Sequence, residues 1–357
     1  MNISRLNRVI ENMKQEGLGQ IIVSSTPSVY YLTGKWISPG ERMLALYIDA
    51  DGEATLFANR LFAVGSDPDM KIVEFDDVDD PVAILAETVK PGKIGIDKVW
   101  PSQFTIRLMQ ARPDAVPVLG SAPVDEARMC KDEEEIQLMR EASLMNDKAI
   151  ELTIAAIREG ISELELDETY KKNAKAAGGD ATSFAPITCF GPNCAEPHHD
   201  NDETTLKPGD SVIIDVGLAH KRYASDMTRT VFYKSVSEEQ KKVYELVKAA
   251  NEAGRKAVRP GVPMCEFDRA ARKVIEDGGY GPYFIHRTGH GIGIEVHEHP
   301  DNSSACQVIA KPGMCFSVEP GIYLPGKFGV RIEDLVVVTE DGCETLNHFS
   351  HDLMVID

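Results

Sequence analysis

A stretch near the middle of the chain is written twice. Arg158-x-Gly160-Ile161-x-x-x-Glu165-Leu166-Asp167 recurs 101 residues later as Arg259-x-Gly261-Val262-x-x-x-Glu266-Phe267-Asp268, and each copy follows one helical pattern and opens another. Farther along, five residues separate Lys207-Pro208-Gly209 from Asp215-x-Gly217, and five separate Lys311-Pro312-Gly313 from Glu319-x-Gly321. Lys-Pro-Gly alone is merely a common turn before a strand. A turn does not place an acid and a glycine at the same later positions, so duplication is the better reading. A duplicated helix–helix–strand–strand unit forms a pseudo-twofold domain with a cleft between its halves.

The repeat occupies only the second part of a 357-residue chain, a length that fits two domains. The first part reads as α/β. Leu6, Val9, Ile10 and Met13 keep helical spacing, and Gln20–Val23, Met43–Ile48, Thr55–Ala58, Lys71–Phe75 and Lys93–Ile96 read as strands. No catalytic motif stands there. Pro113, Pro117 and Pro123 fall in a stretch without helical periodicity, which predicts a linker. Asp132 then caps a helix whose first turn is Glu133-Glu134-Glu135 and whose apolar stripe is Ile136, Met139, Ala142, Met145, Ala149 and Leu152. The expected domains are 1–124 and 125–357. Ser162-x-x-Glu165 and Ser237-x-x-Gln240 are capping boxes for two further helices.

Each repeat carries a pair of acids on sequence rich in Val and Ile. Val212-Ile213-Ile214-Asp215 ends on an acid, and Asp226 follows 11 residues on; Glu319 and Glu333 repeat the arrangement 14 apart. Any one of these acids alone reads as a surface or ion-paired residue. Four at equivalent places in two repeats read as a ligand set, because an unpaired charge in apolar surroundings is costly. Crowded carboxylates raise one another's pKa; two divalent cations balance four negative charges. Carboxylates with one imidazole suit Mn²⁺, Fe²⁺, Co²⁺ or Zn²⁺. The expected fifth ligand is His290, between Gly289 and Gly291, which permit close backbone approach.

Composition agrees by exclusion. With 57 Asp and Glu against 38 Lys and Arg, the net charge of −19 argues against nucleic acid or an anionic membrane as partner. No stretch approaches the roughly 20 apolar residues of a membrane span, and Met1-Asn2-Ile3-Ser4-Arg5 opens no signal-peptide core. Seven cysteines with no Cys-x-x-Cys predict free thiols in a cytoplasmic protein.

Ile214-Asp215-Val216-Gly217, Ser225-Asp226-Met227-Thr228-Arg229-Thr230, Gly289-His290-Gly291-Ile292-Gly293, Val296-His297-Glu298, Val318-Glu319-Pro320-Gly321 and Arg331-Ile332-Glu333-Asp334 resemble, in order, the blocks of the pita-bread metallopeptidases. These are prolidase (Xaa-Pro dipeptidase), aminopeptidase P and, more distantly, methionine aminopeptidase and creatinase. Ser28-Val29-Tyr30-Tyr31-Leu32-Thr33-Gly34 is similar to the creatinase-type amino-terminal domain. The resemblance implies an α+β, pita-bread catalytic domain with pseudo-twofold duplication behind a smaller α/β amino-terminal domain. It implies two divalent ions per chain, Mn²⁺ foremost, a homodimer, and small peptides with proline second as substrates. Asp215 would chelate one ion, Asp226 and Glu333 would bridge, and His290 with Glu319 would hold the second, with Glu319 also carrying the proton. His198, 17 residues before Asp215, and His297 match the substrate-side histidines. His199 remains an alternative to His198, His286 a supporting or structural residue, and Arg331 a partner of nearby acids. Where some dipeptidase relatives have an arginine four residues after the histidine matching His297, this chain has Asp301, an acid that would repel a dipeptide's carboxylate if it faced the pocket. Two rival readings stand beside the peptidase: a creatinase-like C–N hydrolase working without metal through His198 and glutamates, and an inactive binding protein.

Overall fold

Leu6, Val9, Ile10 and Met13 form the buried face of the helix Ile3–Gln15 in the computed structural model, which describes all 357 residues. That helix belongs to the first of two compact units, Met1–Arg128 and Met129–Asp357. The first unit is built on a mixed six-stranded sheet in the spatial order Lys71–Phe75, Ala54–Asn59, Ala45–Asp49, Gln20–Val23, Gly92–Ile96, Ala115–Leu119. Its centre holds the most apolar strands; Gln20–Val23 is buried along its whole length.

The proline-bearing stretch after Arg112 is not a linker. It contains the edge strand Ala115–Leu119, parallel to Gly92–Ile96 with Pro117 opposite Ile94, and the helix Ala122–Met129. An edge strand uses only one row of backbone groups, so the N–H that proline lacks is not missed there.

In the second unit the long helix Glu133–Ile154 starts at an Asp132–Glu135 capping box, and Ser162–Glu165 and Ser237–Gln240 boxes open Glu163–Ala176 and Glu238–Ala257. Each cap is worth about 1 kcal/mol. The apolar stripe of the first helix departs from expectation at its end: Leu152 is exposed, and Ile150 and Thr153 turn inward instead. A straight helix at 3.6 residues per turn drifts across a fixed repeat, so the buried stripe shifts sideways over six turns.

The duplication is visible in the backbone. Gly160 and Gly261 both take positive φ (75° and 81°), as do Gly209 and Gly313 (90° and 86°). Isolated bridges join Ser162 to Thr205 in one half and Pro263 to Ile309 in the other. Asn146 of one long helix donates to the Val216 carbonyl, while Asn251 of its counterpart donates to Val318 and Ile332. Each half therefore ties an acid-bearing strand to its own helix through a buried amide. Helix-to-strand packing completes each layer, with Ala149, Leu166 and Tyr170 against Val212 and Ile214, and Val243, Val247 and Ala271 against Ile322, Val330 and Ile332.

Candidate active site

The apolar run Val212-Ile213-Ile214 buries the strand Ser211–Val216, and its antiparallel neighbour Met227–Tyr233 sets Thr228 opposite Asp215. The connection turns at Lys221-Arg222, both with positive φ, between the paired residues His220 and Tyr223. Asp226 lies just past the end of this ladder. In the second half Cys315–Val318 pairs with Asp334–Val338, Val318 opposite Asp334, so Glu319 and Glu333 leave the ladder side by side. Hydrogen bonds tie the halves together: the Thr228 carbonyl accepts the Glu333 N–H at 3.1 Å, and the Thr230 hydroxyl bonds the Arg331 backbone.

These strands bring the acids and His290 together. Ligand atoms of Asp226, His290 and Glu333 all lie within 4.8 Å of one another. His290 Nε2 is 3.7 Å from Asp226 Oδ2 and 3.4 Å from Glu319 Oε1. Gly289 must be glycine, because a Cβ there would strike the Ser317 backbone. Asp215 is held by Arg331 Nη2 at 2.6 Å; Arg331 Nη1 also reaches the Tyr323 hydroxyl, and its Nε the Thr228 hydroxyl. Thr228 in turn donates to Glu333 Oε2 at 2.7 Å.

Three carboxylate oxygens here are buried with no hydrogen-bond partner: Asp215 Oδ1, Asp226 Oδ1 and Glu333 Oε1. Buried polar atoms are rarely left so. The electrostatics match. Burial first, and then the neighbouring acids, push Asp226 and Glu333 far above the usual carboxylate range, and Glu319 is pushed up to about 7. Burial also drives His290 down to about 3, so its ring is neutral and able to ligate. Asp226, Glu319 and Glu333, all raised beside a neutral imidazole, together with buried oxygens that lack partners, make the donor set of hard or borderline cations.

The same residues line a cavity of about 520 Å³ together with Phe184, Ala185, Ile187, Pro197, His198, Val296, His297, His286, Arg287 and Arg331. His198 and His297 are exposed to it, and the His297 ring packs 4.1 Å from the His290 ring. His199 turns the other way: its Nε2 bonds buried Glu163 at 2.9 Å. The same carboxylate accepts from the Phe190 and Asp202 backbone N–H groups and from Asn193, so it grips both ends of the segment carrying His198. His286 lines the cavity while bonded to Tyr323 at 2.8 Å. Asp301 is not part of the lining; it neighbours Cys306, whose thiol is pushed up by burial chiefly and by this acid. Sequence reasoning missed Arg287, Tyr323 and the apolar wall of Phe184 and Ile187. Arg287 lay inside a motif already singled out, whereas the others carry no signal short of the fold.

Comparison with known proteins agrees. The model of metallopeptidase family M24 matches residues 137–340, and that of the creatinase/prolidase N-terminal domain matches residues 5–130. "Putative dipeptidase YkvY" of Bacillus subtilis (strain 168) is 35% identical over 99% of this chain and all of its own. The crystal structure of a recombinant prolidase from Thermococcus sibiricus is 37% identical with a TM-score of 0.94, covering 100% of both chains. A dipeptidase structure from Pyrococcus horikoshii OT3 is 36% identical with a TM-score of 0.93, covering 99% of this chain and 100% of that one. Carboxylates drawn from both halves of a duplicated fold and a match spanning most of the second unit lead to one conclusion: the chain belongs to metallopeptidase family M24.

Proposed function

We propose that this enzyme uses two divalent ions, Mn²⁺ foremost, to hydrolyse the bond between an amino-terminal residue and proline. The observation that carries the metal reading is the cluster of Asp226, His290 and Glu333, whose ligand atoms lie within 4.8 Å of one another, in a site where Asp215, Asp226 and Glu333 each keep a buried oxygen without a partner. Asp215, Asp226, His290, Glu319 and Glu333 would hold the ions. Bound there, the ions supply Lewis acidity and a water that is nucleophilic near neutral pH.

The rest falls to side chains of the chain itself. Glu319, pushed up to about 7, is poised to take the nucleophile's proton and pass it to the leaving proline nitrogen. His297 and His198, both exposed to the cavity, are placed to donate hydrogen bonds to the carbonyl oxygen as it gains charge. Burial and the Arg287 charge push His297 down; as a neutral ring it still donates through one nitrogen. Phe184, Ile187, Pro197 and Val296 form an apolar wall. A prolyl residue suits such a wall: its nitrogen has no hydrogen to satisfy and its φ is already fixed.

The names of the relatives, dipeptidase and prolidase, support a short substrate. Seven free cysteines agree with a cytoplasmic enzyme, and the homodimer rests on the family resemblance. The test is a Mn²⁺- and Co²⁺-supplemented assay of an Xaa-Pro dipeptide, an Xaa-Pro-Yaa tripeptide and an Xaa-Ala dipeptide. Preference for the first over the third is expected; equal turnover of Xaa-Ala would remove the proline assignment.

A further inference from the structure

His297 stands at the end of the connection 292–297, between the strands Gly289–Gly291 and Glu298–Asn302. That connection starts just after His290 and ends on a ring exposed to the cavity and packed 4.1 Å from the His290 ring. An exposed ring on a loop keeps its aim only if the backbone beneath it is fixed. The fixture here is a buried ion pair. Glu298, directly after His297, accepts from Lys131 Nζ at 3.0 Å, and the Lys131 and Glu298 side chains are only 2% and 4% exposed. The other Glu298 oxygen accepts the Glu295 N–H at 3.1 Å, which closes the loop on itself. Lys131 is fixed in turn: its N–H donates to the Gly313 carbonyl at 2.8 Å, and it precedes Asp132, the cap of the helix Glu133–Ile154. Nearer His290, the Ala224 N–H donates to the Gly293 carbonyl at 2.8 Å. Gly293 also gives the pair its room, since a Cβ there would lie 2.8 Å from Lys131 Cε and 2.9 Å from both Glu298 carboxylate oxygens. The second glycine of the block His290-Gly291-Ile292-Gly293 thus answers to the ion pair.

Neither Lys131 nor Glu298 lines the cavity, so each can act only through another residue. Burying two charges is costly, and apolar side chains of similar volume often stabilise a fold as well or better. Stability therefore does not account for the pair; direction does. On the role given above to His297, on which this inference rests, we infer that Lys131 and Glu298 are positioning residues that aim the His297 ring at the carbonyl oxygen as it gains charge. The segment carrying His198 is gripped by the buried carboxylate of Glu163; the His297 loop has its own in Glu298.

The experiment is a double-mutant cycle on the Mn²⁺-supplemented full chain, with Leu-Pro as substrate, or with Leu-Ala if wild-type enzyme turns over only that. Lys131→Met, His297→Ala and the two combined are compared, with Mn²⁺ content and urea unfolding measured on each. Lys131→Met should lower kcat about ten- to hundredfold, the cost of a slightly misplaced group, with KM and bound Mn²⁺ near wild type. In the His297→Ala background the same change should cost less than about twofold, because the group it aims is gone. Lys131→Met/Glu298→Gln removes both buried charges and should regain stability without regaining kcat; it carries the cycle if Lys131→Met does not fold. An equal factor in both backgrounds, recovery of kcat together with stability, or loss of Mn²⁺ in step with kcat would overturn the inference and leave the Xaa-Pro reading standing. If His297→Ala itself keeps full kcat, the role of His297 falls and the inference falls with it.

Discussion

Glu333 shows how much one side chain carries. One of its oxygens is taken by Thr228, the other has no partner, and its backbone N–H bonds the opposite half. Replacing it or Asp226 with alanine should remove bound metal and activity together, lowering turnover by more than about a hundredfold. Elemental content measured beside kcat checks this, and a metal-poor Glu333→Ala enzyme with full turnover would contradict the assignment. His198 and His199 separate in the same way. Alanine at His198 should lower kcat/KM with little change in stability, because its ring faces the open cavity. At His199 the loss should be in stability first, since its ring pairs with a buried carboxylate. The cluster of acids was legible in the sequence because acids next to Val and Ile runs are out of place unless something binds them. The choice between two adjacent histidines was not, since neighbours in a loop share every local signal.

At the scale of elements, the segment from Phe190 to Asp202 is held by Glu163 from the first turn of its helix. Glu163→Gln presents donors where N–H groups already point. It should cost about 1–3 kcal/mol, the range for an unsatisfied buried group, and raise KM as His198 loses its placement. Urea unfolding paired with steady-state kinetics would show both; a stability loss with unchanged KM would leave Glu163 purely structural. Helix starts were readable because capping boxes are local chemistry. The edge strand Ala115–Leu119 was not, because its place beside Gly92–Ile96 depends on pairing across more than twenty residues, and proline argued locally against any strand. Tyr323, which joins His286 to Arg331, lies on the hairpin between Glu319 and Glu333 and acquires its role only when the distant His286 segment meets that hairpin.

For the whole molecule, the site links metal, protons and stability. Asp226, Glu333 and Glu319 are all raised in the ion-free protein. The native state then keeps protons that the unfolded chain releases above the ordinary carboxylate range, near pH 4. Stability from this site is present at low pH and lost as pH rises through the raised values, toward 7 for Glu319. Cations replace those protons, so the gain in Tm on adding Mn²⁺ should grow between pH 5 and pH 7. Calorimetry at several pH values, with and without the ion, measures it; an equal gain throughout would show that the acids are not protonated when empty.

The symmetry of the backbone has a historical corollary. A lone repeat owns two of the acids, and only the later one sets an imidazole on the strand beside them: Gly289–Gly291 carries His290, whereas its counterpart Ile187–Phe190 offers a threonine and a cysteine. Half a molecule is therefore half a clasp, and an ancestor of that length needed a twin to close it. Severing the modern chain after Lys234 should yield fragments that take up Mn²⁺ only when mixed; uptake by either fragment alone would refute this descent.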